Sequence, residues 1–396
     1  MQRFILIPLL LGCTLLSMPL GAQVPDWTRD RTAIGFGLAG GIEQILPAGD
    51  RLLVVGTTGE HRGFQTHQMH ALFLDRTGKI EASRSFDSVV SPRLHPALAT
   101  YNVQEVFAVE AEGAGYWVWG LHYTHRDTVE PYIAVRYRVS EDMRVIEQDI
   151  LPALIDKVYP DGSASRSSYR SDTGIVTSRW ATPSSEVVTA IIGFDQLSSY
   201  NGDPARTLLA ASVRRGNRDW FLLADAIDHS SILVGMDRST PSNIITTSFA
   251  PTELAAQDMI ILASGDILVA GRTVTWSSGT VATIRLVRID PMTGRIRHNV
   301  TIDREVSGPV QIIGERGNGE ILMSWLEGGA TDLSIVTGEG QIVARAPIYD
   351  ISLGFAVDTD RSLWMLSGST SVGYIGLPQL SSVEDRVRTP ADLYLQ

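Results

Sequence analysis

The chain has 396 residues, one cysteine, 33 basic and 44 acidic residues, and a formal net charge of −11. That balance disfavours nucleic acid and anionic lipid surfaces as partners, because binding either depends on clustered positive charge. Cys13 is the single cysteine, so disulfides and Cys-type zinc sites are excluded, and the fold must rest on its core.

In chain order, the first element is Met-Gln-Arg followed by an apolar run from Phe4 to Leu16 and a small-residue end at Gly21-Ala22. This describes a secretory signal peptide over residues 1–22, cleaved after Ala22, and implies a periplasmic or secreted protein. The alternative is a lipoprotein anchored through Cys13, since Leu10-Leu11-Gly12-Cys13 resembles a bacterial lipidation signal. The apolar run is too short for a membrane span, and no later stretch is long enough for one.

From residue 42 a grammar of short β-rich runs and Gly/Asp turns begins. Its clearest copy predicts strands over Ile42–Pro47, Arg51–Thr58, Met69–Asp75 and Ile80–Phe86, joined by Gly49-Asp50, a polar loop, and Arg76–Lys79. Such turns supply the positive φ that tight hairpins need. The pattern returns at Val103–Ile150, Arg206–Phe249, Met259–Ile302 and Val310–Ile348. Ile351–Leu380 carries three strands and stops. Residues 151–200 are the least regular, with Glu186–Asp195 read as another third strand. Third-strand ends at Asp75, Val139, Asp195, Asp237, Asp290, Thr337 and Leu377 recur roughly every 50 residues, close to the length of a four-stranded propeller blade.

The expected fold is therefore all-β: a single β-propeller over residues 23–380, of about seven four-stranded blades, followed by a C-terminal tail over 381–396. Arg31–Gly35 is expected to supply the missing fourth strand of the last blade, with Val383–Arg388 as the alternative. The Gly265–Gly271 run and Arg288–Gly294, which carries Asp290-Pro291-Met292-Thr293-Gly294, resemble units of secreted bacterial β-propellers, both short-repeat and quinoprotein-like. No tryptophan follows the Thr-Gly turns, so the resemblance does not carry over a quinone cofactor. Propellers host hydrolases, lyases, dehydrogenases and binding scaffolds, so the fold name leaves function open.

Five of the eight histidines fall in equivalent loops of the first two units: His61, His67 and His70, then His122 and His125. Imidazole is the commonest metal ligand, which makes His67, His70, His122 and His125 the candidate ligands of a divalent metal, with Asp127 and Glu130 nearby. The same histidines could bind a partner or act as a base, or be ordinary loop residues. Phe64, Tyr123, Trp276 and Trp325 are candidate partner-binding aromatics in second-to-third-strand connections, whereas Trp117, Trp119, Trp220 and Trp364 read as core. Gly35–Gly40 matches G-x-G-x-x-G, but no helix can follow, so it reads as a loop. G-x-S-x-G, H-E-x-x-H and a calcium loop are absent; Tyr159–Gly162 offers one carboxylate. The expected role is a monomeric binding or scaffold protein that engages an envelope protein or glycan. A hydrolase or lyase with a histidine-lined face is the alternative, and an assembly subunit a third reading.

Overall fold

The computed structural model describes residues 32–33, 41–58, 68–75, 77–86, 102–123, 132–151, 155, 157–170, 172–180, 186–193, 196–240, 242–274, 282–302, 304–348, 352–359, 362–367 and 371–376. The signal segment, the C-terminal tail, Gly35–Gly40 and Val383–Arg388 lie outside these residues.

The described strands form seven four-stranded antiparallel sheets, six of them from consecutive strands. After β1 (Thr32–Ala33), blade 1 holds β2 (Ile42–Ala48), β3 (Arg51–Thr58), β4 (Gln68–Leu74) and β5 (Ile80–Phe86). Blade 2 holds β6 (Asn102–Glu110), β7 (Tyr116–Tyr123), β8 (Tyr132–Val139) and β9 (Val145–Leu151). Blade 3 holds β10 (Lys157–Val158), β11 (Ala164–Arg170), β12 (Gly174–Trp180) and β13 (Glu186–Ile192). Blade 4 is β14 (Thr207–Arg215), β15 (Arg218–Asp225), β16 (Ser231–Asp237) and β17 (Ile244–Phe249). Blade 5 is β18 (Ala255–Ile261), β19 (Ile267–Arg272), β20 (Ile284–Ile289) and β21 (Ile296–Ile302). Blade 6 is β22 (Val310–Glu315), β23 (Ile321–Glu327), β24 (Ala330–Val336) and β25 (Ile342–Ile348). The last sheet, blade 7, is composite: β26 (Ser352–Thr359), β27 (Ser362–Ser367) and β28 (Ser371–Gly376), closed by β1. Thr32 pairs with Val372 and Ala33 with Ser371, so the strand expected from the other end of the chain does close the ring.

First strands touch their neighbours around the ring: β26 with β2, β2 with β6, β6 with β10, β14 with β18, β18 with β22, and β22 with β26; β11 against β14 completes the circle. Each seam between blades is filled by its own apolar layer. Leu53, Met69 and Phe73 meet Val106, Val118 and Tyr137 between blades 1 and 2, for example, and Trp220 and Leu233 meet Met259 and Val269 between blades 4 and 5. Trp117, Trp119, Trp220 and Trp364 are all buried, as expected of core residues.

The turn chemistry follows the sequence. Asp75 Oδ1 accepts from the Thr77 and Lys79 amides, Asp237 Oδ1 from the Ser239 amide, and Asp290 Oδ1 from the Met292 amide. A carboxylate that ends the third strand thus holds its own turn closed. The Tyr159–Ser163 turn spends its single carboxylate the same way, with Asp161 accepting from the Ser163 amide and hydroxyl.

Two expectations are corrected. Glu186–Ile192 is the fourth strand of its sheet, not the third. The two strands before it were missed because their buried faces carry hydroxyls, at Ser165, Thr177 and Ser178, and hydroxyls give no apolar alternation to read. Trp325, expected in or near a second-to-third-strand connection at the end of its strand, lies inside the strand with its side chain buried. β23 runs on to Glu327, and the hairpin is the Gly328-Gly329 pair at φ +58° and +86°, a conformation glycine adopts without strain.

The first strands carry a recurrent bulge near their start. The register slips at Glu43, Gln104, Ala210, Gln257, Ile313 and Leu353, in six of the seven sheets. At two seams, side chains at or just after the bulge cap the next blade's first strand. The Ala108 N–H donates to Gln44 Oε1 (2.8 Å), Val310 N–H to Gln257 Oε1 (2.8 Å), and Ile312 N–H to Asp258 Oδ2 (2.7 Å). A first strand pairs along one edge only, so these side chains satisfy amides the ladder cannot reach. Replacing Gln44 or Asp258 by leucine is expected to cost about 1–3 kcal/mol each in urea unfolding, the penalty of an orphaned amide. Unchanged midpoints would show that the lacing contributes nothing.

Candidate functional site

In an antiparallel four-stranded blade, the first-to-second and third-to-fourth turns share one end, and the longer connections share the other. At the turn end, neighbouring blades are tied together. The Glu112 amide donates to the Pro160 carbonyl, the Ala263 amide to Glu315, and the Arg218 guanidinium to the Pro291 carbonyl. Several charged groups elsewhere in the ring are paired as well. Arg136 binds Asp149 and Glu147 and lies 4.8 Å over the Trp117 ring; Asp266 binds Arg288 and Arg297; Asp332 binds Arg345.

At the loop end, blades 1 and 2 differ from blade 5 at three positions. The bulge residue Gln257 of blade 5 caps Val310, but its counterpart Glu43 accepts no hydrogen bond and joins no ion pair among the described residues. The residue after the bulge, Gln44 or Asp258 in blades 1 and 5, caps the neighbouring strand; its blade 2 counterpart Glu105 does not. The third departure lies opposite the residue before the bulge. Blades 1 and 5 place Gly56 and Gly271 there, where a Cβ would come within 2.1 Å of the Gly41 and Ala255 carbonyl oxygens. In blade 2 that position, opposite Val103, is His122.

The electrostatics follow. Glu43 is open to solvent, yet withdrawal of water by the surrounding strands, with repulsion from Glu105, raises its pKa above the usual carboxylate value. His122 is 5% exposed, and its Nε2 has no hydrogen-bond partner among the described residues. Burial pushes its pKa down to about 4. Its ring lies in the seam between blades 1 and 2, because Nε2 and the Met69 sulfur both crowd the space where Gly120 has no side chain.

The remaining predicted residues sort as follows. His61, Phe64, His67, His125, Asp127, Glu130 and Trp276 lie outside the described residues. Tyr123 ends β7, paired with Tyr132. Trp325 is 1% exposed, its Nε1 3.4 Å from Glu327 Oε2, so its ring offers no contact surface to a partner. His70 and His122 are not brought together. Met69 faces the blade 1–2 seam, and alternation along β4 turns His70 to the other face, which carries Leu72 and Leu74 against blade 7. Among the described residues no three His, Cys, Asp or Glu side chains group to hold a metal. Glu43 and Glu105 were missed. Their signal was in the sequence, in the alignment of repeats at the bulge, but nothing in the sequence marks where the bulge falls.

The fold and this loop-end sector define a β-propeller. No known protein family matches the chain, and no curated protein matches it. Solved structures do. Streptogramin B lyase is similar at 14% identity and TM-score 0.50, over 89% of this chain and 99% of that one. The Dos1 propeller is similar at 9% identity and TM-score 0.50, over 91% and 96%. These likenesses show the fold alone.

Two pH-dependent outcomes follow. The unfolded chain protonates His122 near pH 6.5 while the folded chain resists to about 4, so stability is lost as pH falls through that window. The loss is expected to be roughly 3 kcal/mol, and His122→Leu should flatten the slope of unfolding free energy between those pH values. Glu43 has the opposite sign: its raised folded pKa favours the protonated fold, so its ionised form is a burden at neutral pH. Glu43→Gln is expected to raise the melting temperature at pH 7 and to leave it unchanged at pH 3. An equal effect at both would mean the carboxylate's charge is not the cause.

Proposed function

We propose that the protein is an exported β-propeller that binds a protein or glycan of the cell envelope through the loop end of blades 1 and 2. One observation carries this reading: Glu43 and Glu105, which accept no hydrogen bond and join no ion pair among the described residues, and His122, which stands where blades 1 and 5 place glycine, all fall in the same sector. Charges kept unpaired at a cost to stability are characteristic of surfaces selected for contact with something else. Net negative charge and two open carboxylates favour a partner that presents cationic or hydrogen-bond-donating groups.

The alternative is a hydrolase or lyase acting at this end of the ring. Glu43 has the environment of a general acid, since its proton is held to higher pH than in a free carboxylate. Export rests on the N-terminal signal pattern alone.

The test is crosslinking pull-down from envelope extract with the mature chain and with a Glu43→Gln/Glu105→Gln variant. The binding reading expects one enriched protein or glycan, crosslinked at the loop end, with recovery reduced at least about tenfold in the variant, as for loss of a charge pair at an interface. Equal recovery with both would move the contact away from this sector. An empty pull-down, together with turnover of a glycan or ester that the variant lacks, would establish the enzyme instead.

A further inference from the structure

The seam between blades 1 and 2 contains a donor pair that the carboxylate sector does not use. Gly120 sits in the interior of β7, where glycine weakens a strand and marks a close approach. A Cβ there would lie 2.2 Å from the Met69 sulfur and 3.1 Å from His122 Nε2, so donors from two blades come together against the bare Gly120 Cα. Nε2 is buried without a hydrogen-bond partner among the described residues, and Met69 is 1% exposed. An orphaned ring nitrogen in an apolar seam is a penalty that a leucine at the same place would avoid.

The geometry points to a site for a soft monovalent cation, Cu(I) in chemical class, held between His122 Nε2 and the Met69 thioether. Thioether sulfur discriminates against hard and borderline divalent ions and in favour of Cu(I). Both ligands are neutral, and a singly charged ion with few ligands is the least costly metal ion to place in an apolar seam. Zinc, which takes four donors, finds only these two here among the described residues. His122 stands one residue from the end of β7, which sets the pair near the loop end. The site shares His122 with the sector proposed for partner binding but uses neither Glu43 nor Glu105, and Met69→Leu leaves that sector's carboxylates untouched.

The test is competition for Cu(I) between the full mature chain and bicinchoninate, anaerobically with ascorbate, followed by X-ray absorption at the copper edge. Expected are one equivalent of copper withdrawn, a sulfur and a nitrogen scatterer, and affinity lowered at least about tenfold in Met69→Leu. That swap conserves volume, so its fold should survive, as a thermal melt would verify; His122→Phe is the second variant. The same chain should retain no Zn(II) against a chelator of comparable strength. Copper that is not withdrawn, a spectrum without sulfur, or unchanged affinity in Met69→Leu would each overturn the site.

Discussion

The open inner edge of each sheet is the constraint on which the ring depends. A first strand is paired to its blade on one side and faces a neighbouring blade on the other, so half its amides lie beyond the ladder. Apolar seams bring the blades together without direction, and the capping side chains Gln44, Gln257 and Asp258 give them register. The bulge makes this possible. One extra residue re-aims the following side chains toward the next blade, and the same slip recurs in six sheets.

A repeat that solves one problem many times makes its exceptions informative. Blade 3 meets the constraint poorly: its first strand is two residues long, and its interior carries hydroxyls in place of methyls. Leu197 and Tyr200, from the segment after its last strand, fill the seam with blade 4 that the sheet leaves underpacked. Glu105 repels Glu43 across the seam between blades 1 and 2.

Much of the fold was legible because hairpins carry local instructions. Gly49-Asp50 and the Asp-x-Thr-Gly turns mark strand ends by chemistry that needs no tertiary context, and β3 and β5 run over the residues the pattern assigns. Blade 3 was read one strand out because period-2 alternation is visible only when the buried face is apolar, and Ala164–Arg170 reads ASRSSYR. The histidine grouping was half legible. The sequence placed His70 and His122 in equivalent regions, but which face of a sheet a residue occupies depends on its parity within a strand. A one-residue difference put the two rings in different seams.

By itself the sequence determined the class of fold, the turns and four of the buried tryptophans, and it narrowed the closing strand to two candidates, because each is written in short-range pattern or in the distance between its copies. Only the tertiary structure decided which polar side chains are spent on neighbouring blades and which are left over. Gln44 and Glu105 occupy the same place in their repeats, and a glutamine and a glutamate are nearly alike in a one-dimensional reading. Gln44 meets the Ala108 amide of the next blade, whereas Glu105 accepts no hydrogen bond among the described residues. That difference is a distance between strands far apart in sequence, and it exists only once the ring has closed.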